Sequence, residues 1–228
     1  MKIKILVAVL FLSGLVGSAC NRPNRTTNNS VSNNSHAGMN HNASNMPVNH
    51  QGMNHGAMDH STMDHSEMQS SPGAENAPYD LQFLDTMIAH HQGALEMAKP
   101  AAAKAEHAEI KTLATNILAD QEKEISEMKR WREQWFTGKP AAINMKMPGM
   151  TDSMKEMDMK KLDSSSGNEF DLEFINQMIP HHQGAVVMAK EALQKSQKEE
   201  IKKLANAVIK AQETEIKQMR DWQTAWSK

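Results

Sequence analysis

MIAHHQGALEMAK, residues 87–99, returns as MIPHHQGAVVMAK at residues 178–190. The offset is 91 residues, and it holds without a gap between 79–135 and 170–226. His90 maps to His181, Ile110 to Ile201, Trp131 to Trp222 and Trp135 to Trp226. About half of the aligned positions are identical, which marks an internal duplication.

The apolar spacing inside each copy is helical. Leu81, Leu84, Ile88, His91, Leu95, Ala98 and Ala102 recur every three or four residues, as do Leu172, Ile175, Ile179, His182, Val186, Ala189 and Leu193. A second stripe follows in each copy, through Ile110, Leu113, Ile117, Gln121, Glu124, Met128, Trp131 and Trp135, and through Ile201, Leu204, Val208, Gln212, Glu215, Met219, Trp222 and Trp226. Each copy therefore predicts a helical hairpin, over 77–139 and 168–228. Neither hairpin can bury its apolar stripes alone, so the two predict one all-α four-helix bundle across 77–228. Asn168, with Asp171 three residues on, reads as a helix start. The connection, 140–167, contains MKMPGMTDSMKEMDMK.

Composition narrows the function. The chain has 228 residues, a formal net charge of -2, few aromatics and one cysteine, Cys20. That balance gives no reason to expect a nucleic-acid partner. A lone cysteine offers neither an intrachain disulfide nor a thiolate metal site. Residues 1–19 have two lysines, a short apolar run and small residues before Cys20, the pattern of an export signal. Cutting before Cys20 fits ordinary signal peptidase. It also fits a lipoprotein site with a lipid on Cys20, although Gly17 departs from the usual leucine. Either reading sends the protein out of the cytoplasm, with a lipid as the one expected membrane attachment. Residues 20–76 are rich in Asn, Ser, His, Met and Gly, lack apolar periodicity, and predict a disordered tail.

Methionine is the compositional anomaly, at 19 residues beside 11 histidines. The tail alternates the two: His36, Met39, His41, Met46, His50, Met53, His55, Met58, His60, Met63, His65 and Met68. The connection holds Met145, Met147, Met150, Met154, Met157 and Met159 but no histidine. The bundle holds Met87, Met97, Met128, Met178, Met188 and Met219. Thioethers favour Cu(I), while imidazole accepts Cu(I), Cu(II), Zn and Ni. The tail is thus a candidate for Cu(I) and Cu(II), and the connection leans to Cu(I). The alternative for the tail is a linker of biased composition with no ligand role.

Within the bundle, adjacent histidines point differently. His91 and His182 lie on the core stripes; His90 and His181 lie on a flanking stripe with Met87 and Met97, or Met178 and Met188. Met87 is one turn from His90, and Met178 one turn from His181, so a thioether and an imidazole can share an ion. Met97 and Met188 are two turns away and read first as core filler. Antiparallel register sets His91 level with Gln121 and Glu124, and His182 level with Gln212 and Glu215. Met87 and Met178 fall level with Met128 and Met219. This predicts a layer of two His and two Glu bordered by four Met. The histidines of that layer fit a hydrogen-bonded structural pair as well as a ligand role. Pro180 removes a helix bond to Asn176 and is a candidate kink. The tryptophan pairs read as plugs at the helix ends.

The segments FLDTMIAHHQGALEMA and FINQMIPHHQGAVVMA, each followed by Gln-Glu-x-Glu-Ile-x-x-Met-x-x-Trp, resemble an exported bacterial family of formerly unknown function. The resemblance covers 79–228. It implies a duplicated ferritin-like bundle and, with the His/Met tail, a periplasmic copper-binding protein associated with copper resistance. Carried over residue by residue, it implies copper at Met87, His90, His91 and Met128, and at Met178, His181, His182 and Met219. The expected partners are copper ions and a periplasmic copper efflux or sensor system. No nucleophile–base arrangement or phosphate loop points to an enzyme. The competing reading is a ferritin-like di-metal oxidase built on the His/Glu layer. It lacks the Glu-x-x-His motif and the four inward carboxylates that such a centre uses.

Overall fold

The computed structural model describes residues 68–155 and 157–227. The segment 1–19 expected to be an export signal, Cys20 and the tail donors expected from His36 to His65 lie outside them. The described chain is all α, with no strand among the described residues. Four long helices are α1 (Tyr79–Lys104), α2 (Ala108–Phe136), α5 (Gly167–Lys195) and α6 (Glu199–Trp226). Two short ones, α3 (Met150–Lys155) and α4 (Met159–Ser164), lie in the connection. None of the described helices is long and apolar enough to cross a membrane.

The two hairpins, α1–α2 and α5–α6, meet through α1 and α5, while α3 and α4 pack on both of those helices. This explains why α1 is buried beyond the predicted stripe. Every residue from Phe83 to His91 is buried, and Phe83, Phe170 and Phe174 are among the largest wholly buried side chains. Periodicity marks the face turned to a hairpin partner. It does not mark the faces turned to the other hairpin and to the connection.

The Met-rich connection is part of the core. Met147, Met150, Met154 and Met157 are buried, and Met145 and Met159 pack against the same cluster. Its backbone is held by side chains of the inner helices. Asp85 accepts hydrogen bonds from Ala142 N at 2.9 Å and Arg132 Nε at 3.1 Å. Thr86 Oγ1 accepts from Asn144 N at 2.9 Å. Gln177 accepts from Asp158 N at 2.9 Å and donates to Asp158 O at 3.0 Å. Lys161 pairs with Glu173 at 2.7 Å, and that hydrogen bond raises the pKa of the exposed ammonium above its usual value. At Gly149 (φ 90°) the connection touches α5. A Cβ on Gly149 would lie 2.4 Å from Gly184 O, and one on Gly184 would lie 2.4 Å from Gly149 O. Only glycines allow that approach.

Three local expectations change. Residues 68–76, assigned to the tail, pack on the connection: Ser71 N donates to Ile143 O at 2.8 Å, and Met145 N donates to Ser70 Oγ at 2.9 Å. Met68 is half-buried against the core. Second, α5 begins at Gly167 with Ser166 as N-cap, so Asn168 is inside the helix. Asp171 instead serves the α1–α2 turn, accepting from Glu106 N at 3.1 Å, His107 N at 2.7 Å and His107 Nδ1 at 2.7 Å. A neighbouring hairpin supplied the donors that local spacing assigned to a capping box. Third, only Trp131 of the four tryptophans is buried. The others are half-buried under cations and rings: Trp226 stacks on His107 at 3.8 Å, and Lys198 Nζ sits 4.7 Å from the Trp135 ring. α5 continues through Pro180.

Candidate metal centre

The repeated motifs put equal geometry on both halves. His91 Nε2 lies 2.7 Å from Glu124 Oε2, and His182 Nε2 lies 2.7 Å from Glu215 Oε2. The adjacent rings His90–His91 and His181–His182 are each 6.3 Å apart. The register that paired these residues in the sequence is the register of the hairpins. The centre of the duplication is a contact between the copies: the rings of His90 and His181 face each other at 3.8 Å, tilted by 35°.

All four histidines and all six bundle methionines have no exposed surface. Solvent reaches this layer through the carboxylates, with side-chain exposure of 18% for Glu124 and 17% for Glu215. Grooves between α2 and α6 lead there. One, of about 410 Å³, runs past Asp120, Glu124, Glu127, Trp131 and Glu200. Its repeat-related counterpart, of about 450 Å³, runs past Glu109, Leu113, Glu215 and Trp222. Between them a cavity of about 20 Å³ is lined by Gln121, Glu124, Gln212 and Glu215, room for about one water.

The electronic arrangement follows from the inventory of donors. A carboxylate only accepts, so Nε2 of His91 and His182 carries the proton in the neutral ring and Nδ1 presents a lone pair. Both Nδ1 atoms are buried without a hydrogen-bond partner among the described residues. A histidine anchored on a carboxylate through one nitrogen, with the other open, is the form in which imidazole ligates metals. In this geometry Glu124 and Glu215 orient the rings.

The remaining candidates divide. His90 Nε2 bonds Ser153 Oγ of the connection at 3.0 Å. Met157 Sδ lies 3.1 Å, and His181 Nε2 3.3 Å, from the point where a Cβ on Gly93 would stand. Ser153 and this role for Gly93 were not visible in the sequence, because both depend on where the connection folds. Among the described residues no group of three or more His, Cys, Asp or Glu could hold a metal ion. The buried methionines of the bundle offer thioether sulfur as a further donor, which suits soft ions.

No curated protein matches the chain. Among solved structures it is similar to CopM in the Cu(II)-bound form, with 45% identity, 64% of this chain and 97% of that chain covered, and a TM-score of 0.57. The Cu(I)-bound form of CopM gives 44%, 64%, 96% and 0.56. A Streptomyces coelicolor protein described as secreted is 28% identical over 65% of this chain and 94% of its own, with a TM-score of 0.57. The family model described as a domain of unknown function, DUF305, matches residues 20–132 and 80–223, and the chain belongs to that family.

Proposed function

We propose that this is an exported, periplasmic copper-binding protein of ferritin-like build that prefers Cu(I) and sequesters it or hands it on. It is not an enzyme. The observation that supports this most directly is the pair of buried His91 and His182 rings, each anchored by a glutamate and each with an open Nδ1 in a methionine-walled core. Met87 and Met178, one turn away, supply sulfur, with Met128 and Met219 level with them on the hairpin partners. Neutral soft donors and no thiolate favour Cu(I) over Zn. CopM, about 44% identical, has been solved with Cu(I) and with Cu(II). The His/Met tail adds further imidazole and thioether donors, a set that accepts either oxidation state. Copper ions, and a periplasmic efflux or sensor system, are the partners in this reading.

The test is metal analysis and anaerobic competition against a Cu(I) chelator, on the full chain and on a variant lacking residues 21–67. Both should bind Cu(I) more tightly than Zn. Replacing Met87, His91, Met178 and His182 by Leu and Gln in the shorter variant should remove most of its copper with helicity kept. Zn binding as tight as Cu(I) binding would overturn the reading.

A further inference from the structure

The long helices pack closely as α1 on α2, α5 on α6 and α1 on α5. α2 and α6 do not, and the seam between them carries both grooves and the water-sized cavity. The cavity sits between repeat mates: Ile117 and Val208, Gln121 and Gln212, Glu124 and Glu215. Gln121 and Gln212 are 4% and 3% exposed, and neither Oε1 has a hydrogen-bond partner among the described residues. A buried carbonyl without a donor is costly to keep. Two of them beside a space for one water mark a place for a water or a cation. The grooves outside are acidic. Asp120, Glu124, Glu127 and Glu200 line one, against Lys123 and Lys203; Glu109 and Glu215 line the other, with no basic side chain. The face formed by α1 and α5 is closed. There the connection lays down Met150, Ser153 and Met154, each no more than 2% exposed.

We infer that the α2–α6 seam is the passage by which a cation enters and leaves the core, with Gln121 and Gln212 as its throat. The inference rests on the copper reading above and adds a path to it; neither glutamine is a ligand at the end of that path. The acidic lining draws cations into the grooves and turns anions away, and low-dielectric walls focus its field. At the cavity an ion must shed most of its water, because about one molecule fits. The two amide oxygens replace part of that shell, as carbonyls do in ion-selective pores. Glu124 and Glu215 line the same cavity, partly exposed, and hold His91 and His182 on their inner side, so they join the throat to the core.

The test is the rate of loading, measured by stopped flow on the full chain with Ag+ as the probe. All four tryptophans lie on α2 and α6, so their fluorescence reports the bundle and not the tail. Gln121→Leu combined with Gln212→Leu keeps the volume and removes two unpartnered polar groups, so the fold stands. A barrier on a passage acts equally in both directions. Loading and release should therefore each slow about tenfold or more, with the dissociation constant held within about twofold. Asp120→Lys, at the exposed mouth, should slow loading several-fold at low salt, and added salt should erase the difference. Asp152→Lys, on the exposed side of the connection, should change neither rate. Unchanged loading in the glutamine variant, or at low salt in Asp120→Lys, would overturn the passage and leave the copper reading standing. Slower loading in Asp152→Lys would do the same. So would a weakened dissociation constant at an unchanged loading rate, which would make the glutamines ligands. If equilibrium dialysis shows neither Ag+ nor Cu(I) bound to the chain, the copper reading itself fails.

Discussion

Adding one methyl group at Gly184 and at Gly93 should have opposite effects, although the two glycines are repeat mates. In an isolated helix either substitution by alanine stabilises by about 1 kcal/mol. At Gly184 the new Cβ would lie 2.4 Å from Gly149 O, 2.4 Å from Ser153 Cβ and 2.6 Å from Ser153 Oγ. Backbone cannot rotate away, so the connection must lift by about 1 Å, an overpacking cost of about 1–3 kcal/mol. Lifting also breaks the buried Ser153–His90 hydrogen bond, about 1 kcal/mol more. Against the helix gain, Gly184→Ala should lose about 1–3 kcal/mol net. At Gly93 the Cβ meets Met157 Sδ at 3.1 Å, Met157 Cε at 3.2 Å and His181 Nε2 at 3.3 Å. A methionine end can swing aside at small cost, so Gly93→Ala should be neutral or stabilising by up to about 1 kcal/mol. Thermal unfolding followed by far-UV circular dichroism resolves this. For a domain of this size 1 kcal/mol moves Tm by about 2–4 °C, so Gly184→Ala should fall by about 3–10 °C while Gly93→Ala holds or rises. Equal shifts in the two variants would refute the asymmetric packing of the connection.

Other consequences are as direct. Asp171→Ala strands two amides and His107 and should cost about 2–4 kcal/mol in urea unfolding, whereas its repeat mate Asp80→Ala should cost less than about 1 kcal/mol. Removing residues 21–67 should leave Tm within about 2 °C of the full chain, while removal through residue 76 should cost about 1–3 kcal/mol, because the bonds of Ser70 and Ser71 go with it. Cu(I) at about 100 times its dissociation constant should stabilise the fold by about 2.7 kcal/mol, and Tm should rise by about 5–10 °C; an unchanged melt would argue against binding within the bundle.

The repeat made most of the fold legible. A gapless offset of 91 fixes two equal hairpins, and antiparallel register alone brings His91 to Glu124 and His182 to Glu215. Those are short-range consequences of helix geometry within one copy. Contacts between copies carry no such signature. Nothing in the spacing of His90 and His181 states that their rings meet, and nothing local to Asp171 states that its partners are in the other hairpin. The connection was the least legible. Its methionines have no sustained period, so their burial depends on a surface that exists only once α1 and α5 have packed.

The contact between the His90 and His181 rings has an evolutionary consequence. A residue that meets its own repeat mate lies close to a two-fold axis, and the duplicated chain has the form of a fused dimer with an isologous interface. A single hairpin pairing with itself would build the same bundle, its one histidine motif meeting its own copy across a true axis. Fusion then created something no symmetric pair can have: a tether present once. Ser153 and Met157 are on that tether, and through them two inherited, identical halves became chemically distinct.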